Sequence, residues 1–473
     1  MSVDQPESSV AAPRTGGNHV RAVVGLLVFV ELTSGFIQGG TVPLVPGIRN
    51  MLQISTADAQ WITAVQFLAA GVCVPVFGRL GDLYGHRRVL RIALASITIG
   101  AILIALAPGL PVLLIGRILQ GPLAALLPLE IGLCRDRLDT NANRRAVGLL
   151  VSSLALGSLL GSVLSGPIYH GFGEIRYALW TLVALAVACQ VLVYTAIPES
   201  RNRAAGGMDW RGAALLGVSL VLVLAAIANG GSWGWASALT LGLFATALAL
   251  FAVWVRVELR SPDPLVDVRA AADRAVAPHL LSAFIFGTVV LAAPVVSISY
   301  LDADPAKTGY GFNLSAAELG IWGGLPHMMA FVTAAVAAAV AARIGMRRML
   351  FLAFVLIVAG YAGVIAAHSS LPLFALAYAV AGAGIGLALA GLPTVIVESS
   401  AADRSASTVA VYNNIKTLGA SIAGAGFAAL LGALVRTGTT VPTLAAYLVI
   451  WGLCAAGAAI AAILTLVSPP GTE

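Results

Sequence analysis

Glu31 stands about ten residues into the first long apolar run of the chain, 21–46. A carboxylate at membrane depth costs at least ~2.5 kcal/mol even on lenient insertion scales, so it must meet a polar cavity, a partner or a proton. Glu31, Ser34, Gln38 and Thr41 follow at i, i+3, i+7 and i+10, which is one stripe of a helix. A polar stripe on an apolar span points to a water-filled path, and its acid to a group able to gain and lose a proton in the physiological range. A second reading has Glu31 permanently protonated or ion-paired, packing helices and nothing more. Arg117, inside the run 110–134, keeps its charge and needs an acceptor. That acceptor is either Glu31 across a cavity or a set of backbone carbonyls. Lys416 is the one lysine inside an apolar run, with Asn413 and Asn414 beside it. It could bind an anionic group or pair with an acid at a gate. His327 follows Pro326 in mid-span, where a lone histidine is more often a hydrogen-bonded packing residue than a functional one. Gln66 and Gln120 are further polar groups at depth, and Trp61, Tyr361 and Tyr378 are possible cavity walls. Glu130 and Glu398, near the ends of their spans, read as loop-facing partners for Arg135 and Arg404.

These residues need a frame of long helices. Of the 473 residues 59% are hydrophobic and 10% charged, with a mean hydropathy of +0.94. Soluble domains carry about 25% charged residues, so this is a polytopic membrane protein. We read fourteen spans: 21–46, 58–78, 88–107, 110–134, 145–170, 177–197, 210–229, 236–257, 277–300, 316–342, 347–367, 371–397, 406–435 and 442–467. With both termini inside, 21 of the 27 basic residues fall in cytoplasmic segments and four outside, the asymmetry that sets membrane orientation. One span more or fewer would scramble that pattern. Residues 1–18 read as a polar, disordered cytoplasmic tail, and the first span doubles as the insertion signal. The four cysteines lie in apolar runs and read as small buried hydrophobes.

Several functions are excluded. Nothing outside the spans is larger than a short loop, there is no G-K-S/T phosphate loop and no His/Cys/Asp group has metal spacing. The chain is therefore expected to be no enzyme and to use no metal, cofactor or ATP. The net charge of +6 is scattered over loops, so no nucleic-acid partner is expected.

Between the second and third spans, Gly78–Leu90 reads GRLGDLYGHRRVL, a tight charged hairpin built on Gly78, Arg79, Asp82, Gly85, Arg87 and Arg88. Part of it recurs 260 residues on: Gly85-His86-Arg87-Arg88 returns as Gly345-Met346-Arg347-Arg348, with Ala342 where Asp82 would fall. The hairpin resembles the signature of the major facilitator superfamily, and Arg117-Ile118-Leu119-Gln120-Gly121 resembles that superfamily's R-x-x-Q-G motif. Met208–Gly212, the turn Gly230–Trp235 and Tyr412–Gly419 resemble its fourteen-helix drug:proton antiporter branch. Gly157, Gly161 and Gly166-Pro167 resemble the glycine-rich helix-packing motif of antiporters in degenerate form.

The resemblance implies an all-α fold of two six-helix bundles, at 19–200 and 275–468, with a linker and extra helix pair at 201–274 and a tail at 469–473. It implies a monomer in the inner membrane of a bacterium that moves small molecules, powered by the proton gradient and exporting amphipathic compounds. Proton-coupled uptake, or export of a specific lipid or metabolite, is the alternative. Glu31 and Arg117 would couple protons, the polar residues above would line the substrate cavity, and the hairpin would gate the cytoplasmic side.

Overall fold

The computed structural model describes residues 17–136, 138, 140–197, 207–261, 264–266, 268–271, 276–399 and 405–467. Among the described residues, fourteen helices are long and apolar enough to span a membrane. In chain order they are α1 (Gly17–Leu52), α2 (Thr56–Tyr84), α3 (His86–Leu106), α4 (Leu110–Arg135), α5 (Thr140–Phe172), α6 (Ile175–Thr195) and α7 (Trp210–Trp233). Then come α8 (Ala238–Arg260), α9 (Ala277–Asp302), α10 (Ala316–Ile344), α11 (Met346–Ala366), α12 (Leu371–Glu398), α13 (Ser405–Ala433) and α14 (Leu444–Val467).

Two of the helices are broken, each for a chemical reason. In α4 the helix pauses at Gln120–Pro122, where Pro122 has no N–H to give. In α9 a π-turn spans Thr288–Ala292 just before Pro294, which likewise leaves a ladder bond unmade.

The packing repeats. Helix α1 lies on α5, α2 on α4 and α3 on α6; in the second half, α9 lies on α13, α10 on α12 and α11 on α14. The buried apolar side chains accordingly form two large cores, one drawn from residues 23–197 plus Val295, the other from residues 276–462. The two halves touch along two seams, α2 against α13 and α5 against α10, which are equivalent under the same repeat. Helices α7 and α8 pair with each other, and α7 leans on α2 and α13.

The repeat extends to the caps. Ser55 and Asp58 form a capping box at the start of α2, and Ser315 and Glu318, 260 positions on, form the same box at the start of α10. At the far ends of these helices Gly85 and Gly345 turn the chain at φ 104° and 86°, values a side chain would resist.

One seam inside the first half is unusually close. A Cβ on Gly35 or Gly39 would meet backbone of Leu154 or Ser158 on α5, and one on Gly157 or Gly161 would meet the carbonyl oxygens of Leu32 or Phe36 on α1. The two helices therefore run backbone to backbone.

Candidate functional site

The two halves are latched at one end. Arg49, at the end of α1, places Nη2 2.8 Å from Asp302 Oδ2 at the end of α9. Two residues before Asp302, Tyr300 sits within a stack of rings. Tyr300 lies 5.5 Å from Tyr310, 5.8 Å from Phe374 and 5.0 Å from Trp451, centroid to centroid. Tyr300 donates to the His368 carbonyl, Tyr310 to that of Pro442, and Trp451 Nε1 to Ser297 Oγ. The α5–α10 seam is also tightest toward this end, where a Cβ on Gly166 would strike the Ala316 carbonyl and one on Gly324 would press on Val163. Along α2 and α13, Ser421 donates to the Ala64 carbonyl at 3.1 Å.

Glu31 is 1% exposed, and its stripe is only partly a cavity wall. Ser34 and Thr41 are buried, Thr41 spending its hydroxyl on the Ile37 carbonyl, and half-buried Gln38 donates to Ser34 Oγ at 3.1 Å. What Glu31 faces is Glu130 on α4, with Cys134 and Cys189 alongside. The expectation that Glu130 serves Arg135 at a loop is corrected here. Glu130 is 0% exposed, because it lies on the face of α4 that closes against α1. The side chain of Glu398 lies outside the described residues, as does Arg404.

Arg117 does not reach Glu31. Its Nε donates to the Ile62 carbonyl at 2.8 Å and its Nη1 to Gln120 Oε1 at 2.7 Å. It thus ties α4 to α2 just above the break at Gln120. Gln66, on α2, is buried.

Lys416 on α13 sits apart from the acids. Its Nζ donates to Asn413 Oδ1 at 3.2 Å and lies 5.2 Å from the centre of the Tyr412 ring. Asn414 is buried with Oδ1 unpartnered, and His327 is half-buried on α10, a turn beyond Gly323 and Gly324. Tyr361 and Tyr378, offered as cavity walls, are core residues of the second half, 0% and 3% exposed.

The charged hairpin is stitched to its own half and to the linker that follows it. Asp82 Oδ1 lies 3.4 Å from His86 Nε2 and 3.7 Å from Arg135 Nη2. Arg87 and Arg91 both donate to the Tyr194 carbonyl at the end of α6, and Arg79 donates to Gly207. His86 fits because it is flanked by Gly81 and Gly132, where any Cβ would press on its ring. Gly78, by contrast, has open space around it. Sequence reasoning placed Glu130 wrongly and missed three participants: His86, Asp302 and the aromatic stack. For Asp302 the signal available was an acid ending one span, opposite Arg49 ending another. A cavity of about 680 Å³ between α7, α8, α9 and α13 is walled by apolar groups such as Leu220, Phe244, Phe284 and Leu418, and presents none of these polar groups.

Two pseudo-equivalent six-helix sets latched at one end, the first holding two buried acids, make a membrane transport fold. The family model of the major facilitator superfamily matches residues 27–209 and 189–424, and the chain belongs to that superfamily. Among similar proteins, the tetracenomycin C resistance and export protein of Streptomyces glaucescens is 27% identical over 410 residues, covering 84% of this chain and 73% of that one. Multidrug resistance protein Stp of Mycobacterium tuberculosis is 25% identical over 390 residues, 82% of this chain and 70% of that one. Among solved structures, a POT family transporter in complex with 5-aminolevulinic acid superposes with a TM-score of 0.68 at 16% identity, over 95% of this chain and 96% of that one. Nucleoside transporter NupG gives 0.66 at 11% identity, over 94% and 99%. At these identities the structures show the shared fold alone.

Proposed function

We propose that this protein is a proton-coupled secondary transporter of the bacterial cytoplasmic membrane that expels amphipathic small molecules by alternating access. The observation that carries the reading is the pair of repeat-related seams, α2–α13 and α5–α10, closed at the end that holds Arg49 and Asp302. Two rigid halves on two equivalent bearings can rock, opening each end of a central path in turn. The basic-residue bias sets both termini inside and the latch outside, so the conformation described is closed outward. Residues 19–200 and 275–468 are the units that move, and 201–274 links them. The export direction rests on the resistance and export relatives. Lys416 with Asn413, Asn414 and Gln38 would offer polar contacts to the substrate, within an otherwise apolar wall.

Glu31 is the proton carrier in this reading, because it is a buried carboxyl without a basic partner. The test is Glu31→Gln in proteoliposomes. Transport driven by an imposed pH gradient should stop, while substrate counterflow, which needs no net proton movement, should persist. A variant that still concentrates substrate against its gradient ends the proton assignment. Accumulation in the opposite sense by the wild type would make the protein an uptake symporter.

A further inference from the structure

Glu130 has no place in the reading above, yet it is the more deeply buried of the two acids, 0% exposed against 1% for Glu31. The two carboxyls face each other, one from α1 and one from the half of α4 beyond the Gln120–Pro122 break. Among the described residues, Glu31 Oε2 and both oxygens of Glu130 are buried with no hydrogen-bond partner.

The surroundings offer no cation. Cys134 follows Glu130 by one turn, and α6 contributes Cys189, which lies beside Thr33. Among the described residues no other titratable group acts on either carboxyl. Arg117 is spent on Ile62 and Gln120.

Two bare carboxylates cannot stand this close in a dry setting. Like charges in contact repel strongly even at the effective dielectric of a protein surface, on top of the cost of dehydrating each. One proton removes both penalties. It supplies the missing donor, and the remaining charge becomes the acceptor of a short, charge-assisted hydrogen bond.

We infer that Glu31 and Glu130 form one proton site, in which a single proton is held in common and both residues are needed for coupling. The inference rests on the proton-coupled reading and deepens it. The site binds one proton when the carboxyls meet and gives it up when they part. Its geometry favours such a switch. Glu31 rides on α1, fixed to α5 by backbone contact, whereas Glu130 rides on the segment of α4 beyond a helix break. A small movement of that segment changes the separation of the pair without disturbing the α1–α5 seam.

The test is infrared difference spectroscopy on the purified full-length chain, titrating pH and following the C=O stretch of protonated carboxyls. Wild type, Glu31→Gln, Glu130→Gln and the double variant are compared. Each glutamine keeps the shape and can donate its amide N–H to the remaining carboxylate, so folding is protected; Glu130→Asp is the substitute if Glu130→Gln does not fold. A band that vanishes only in the double variant belongs to the pair. If the proton is shared, each single replacement moves the titration midpoint of the remaining carboxyl by at least about one pH unit from the wild-type transition, the threshold for coupled sites. Midpoints that stay within a few tenths of a unit, or a Glu130 that does not titrate, overturn the inference. Flux of cationic, neutral and anionic dyes in pH-jumped proteoliposomes answers the separate question. A coupled titration with flux indifferent to pH would refute proton coupling while leaving the shared proton intact. Independent titration, with pH-driven flux lost in Glu31→Gln alone, would refute the sharing and leave coupling intact.

Discussion

Replacing Asp302 by Asn should unlatch the closed end of the molecule by a predictable amount. The substitution keeps the size and the acceptor of the side chain and removes its charge. It is cleaner than replacing Arg49, whose guanidinium also reaches Thr56 at 3.4 Å and Asn50 at 3.5 Å. The pair is close, at 2.8 Å, and its side chains are 22% and 17% exposed. Exposed pairs contribute about 0.2–1 kcal/mol, and losing one partner of a fully buried pair costs about 3–5 kcal/mol, which puts this one at ~1–2 kcal/mol. The bond spans the two halves and exists only while they are closed at this end, so its whole worth falls on the closed state. One to two kcal/mol is a factor of about 5–30 in a conformational ratio. The readout is the rate at which a membrane-impermeant maleimide, added to intact cells, modifies a cysteine introduced at Gln38. Gln38 lies on α1 between the latch and Glu31, shielded while the end is closed. Asp302→Asn should raise that rate about 5- to 30-fold. High salt should act in the same direction but more weakly, since the pair is partly screened already. A rate within twofold of the parent would mean that the seams, not the latch, hold this end shut.

Asp82→Asn should abolish turnover while leaving the fold intact. Its contacts to His86 and Arg135 are long, at 3.4 and 3.7 Å, and the side chain is 40% exposed, so thermal stability should change by less than about 1 kcal/mol. Wild-type flux in that variant would reduce the hairpin to a topology signal. Gly161→Ala should destabilise by about 1–3 kcal/mol, because the new methyl would strike the Phe36 carbonyl, a backbone atom that cannot rotate away. Gly78→Ala, in the hairpin but with open space around it, should stay within about 0.5 kcal/mol of wild type. Thermal unfolding in detergent compares the two, and equal shifts would contradict the packing argument.

The fourteen spans were legible because membrane helices announce themselves by length and hydropathy, and the hairpin because glycine and charge are rare between such helices. The 260-residue repeat was visible in Gly85-His86-Arg87-Arg88 and its copy, although its second trace, the capping boxes at Ser55 and Ser315, went unread. Which way a buried polar group faces was not legible. Glu31 was singled out correctly as a buried acid, but its partner came from the half of α4 that lies beyond a helix break. No linear spacing reveals that a residue 99 positions away shares its pocket. Arg117 was read with two possible acceptors, and the structure supplies a carbonyl and a glutamine. Tyr361 and Tyr378 looked polar enough for a cavity, yet their rings complete the second core. An aromatic hydroxyl can be satisfied by one carbonyl while the ring packs like a hydrocarbon.

The glycine seam between α1 and α5 bears on how force travels through the molecule. Helices that touch through side chains can creep, because rotamers yield one at a time. Helices that touch through carbonyl oxygens have nothing to yield, and the pair acts as a beam. Compliance must then sit where the contacts are tips of side chains, as where Leu418 of α13 lies over Gly71 of α2. In such a linkage stiffness and play are set by the same variable, the presence or absence of a Cβ. A lineage could retune the stroke by trading glycine for alanine along the bearing, leaving the beam and Glu31 untouched.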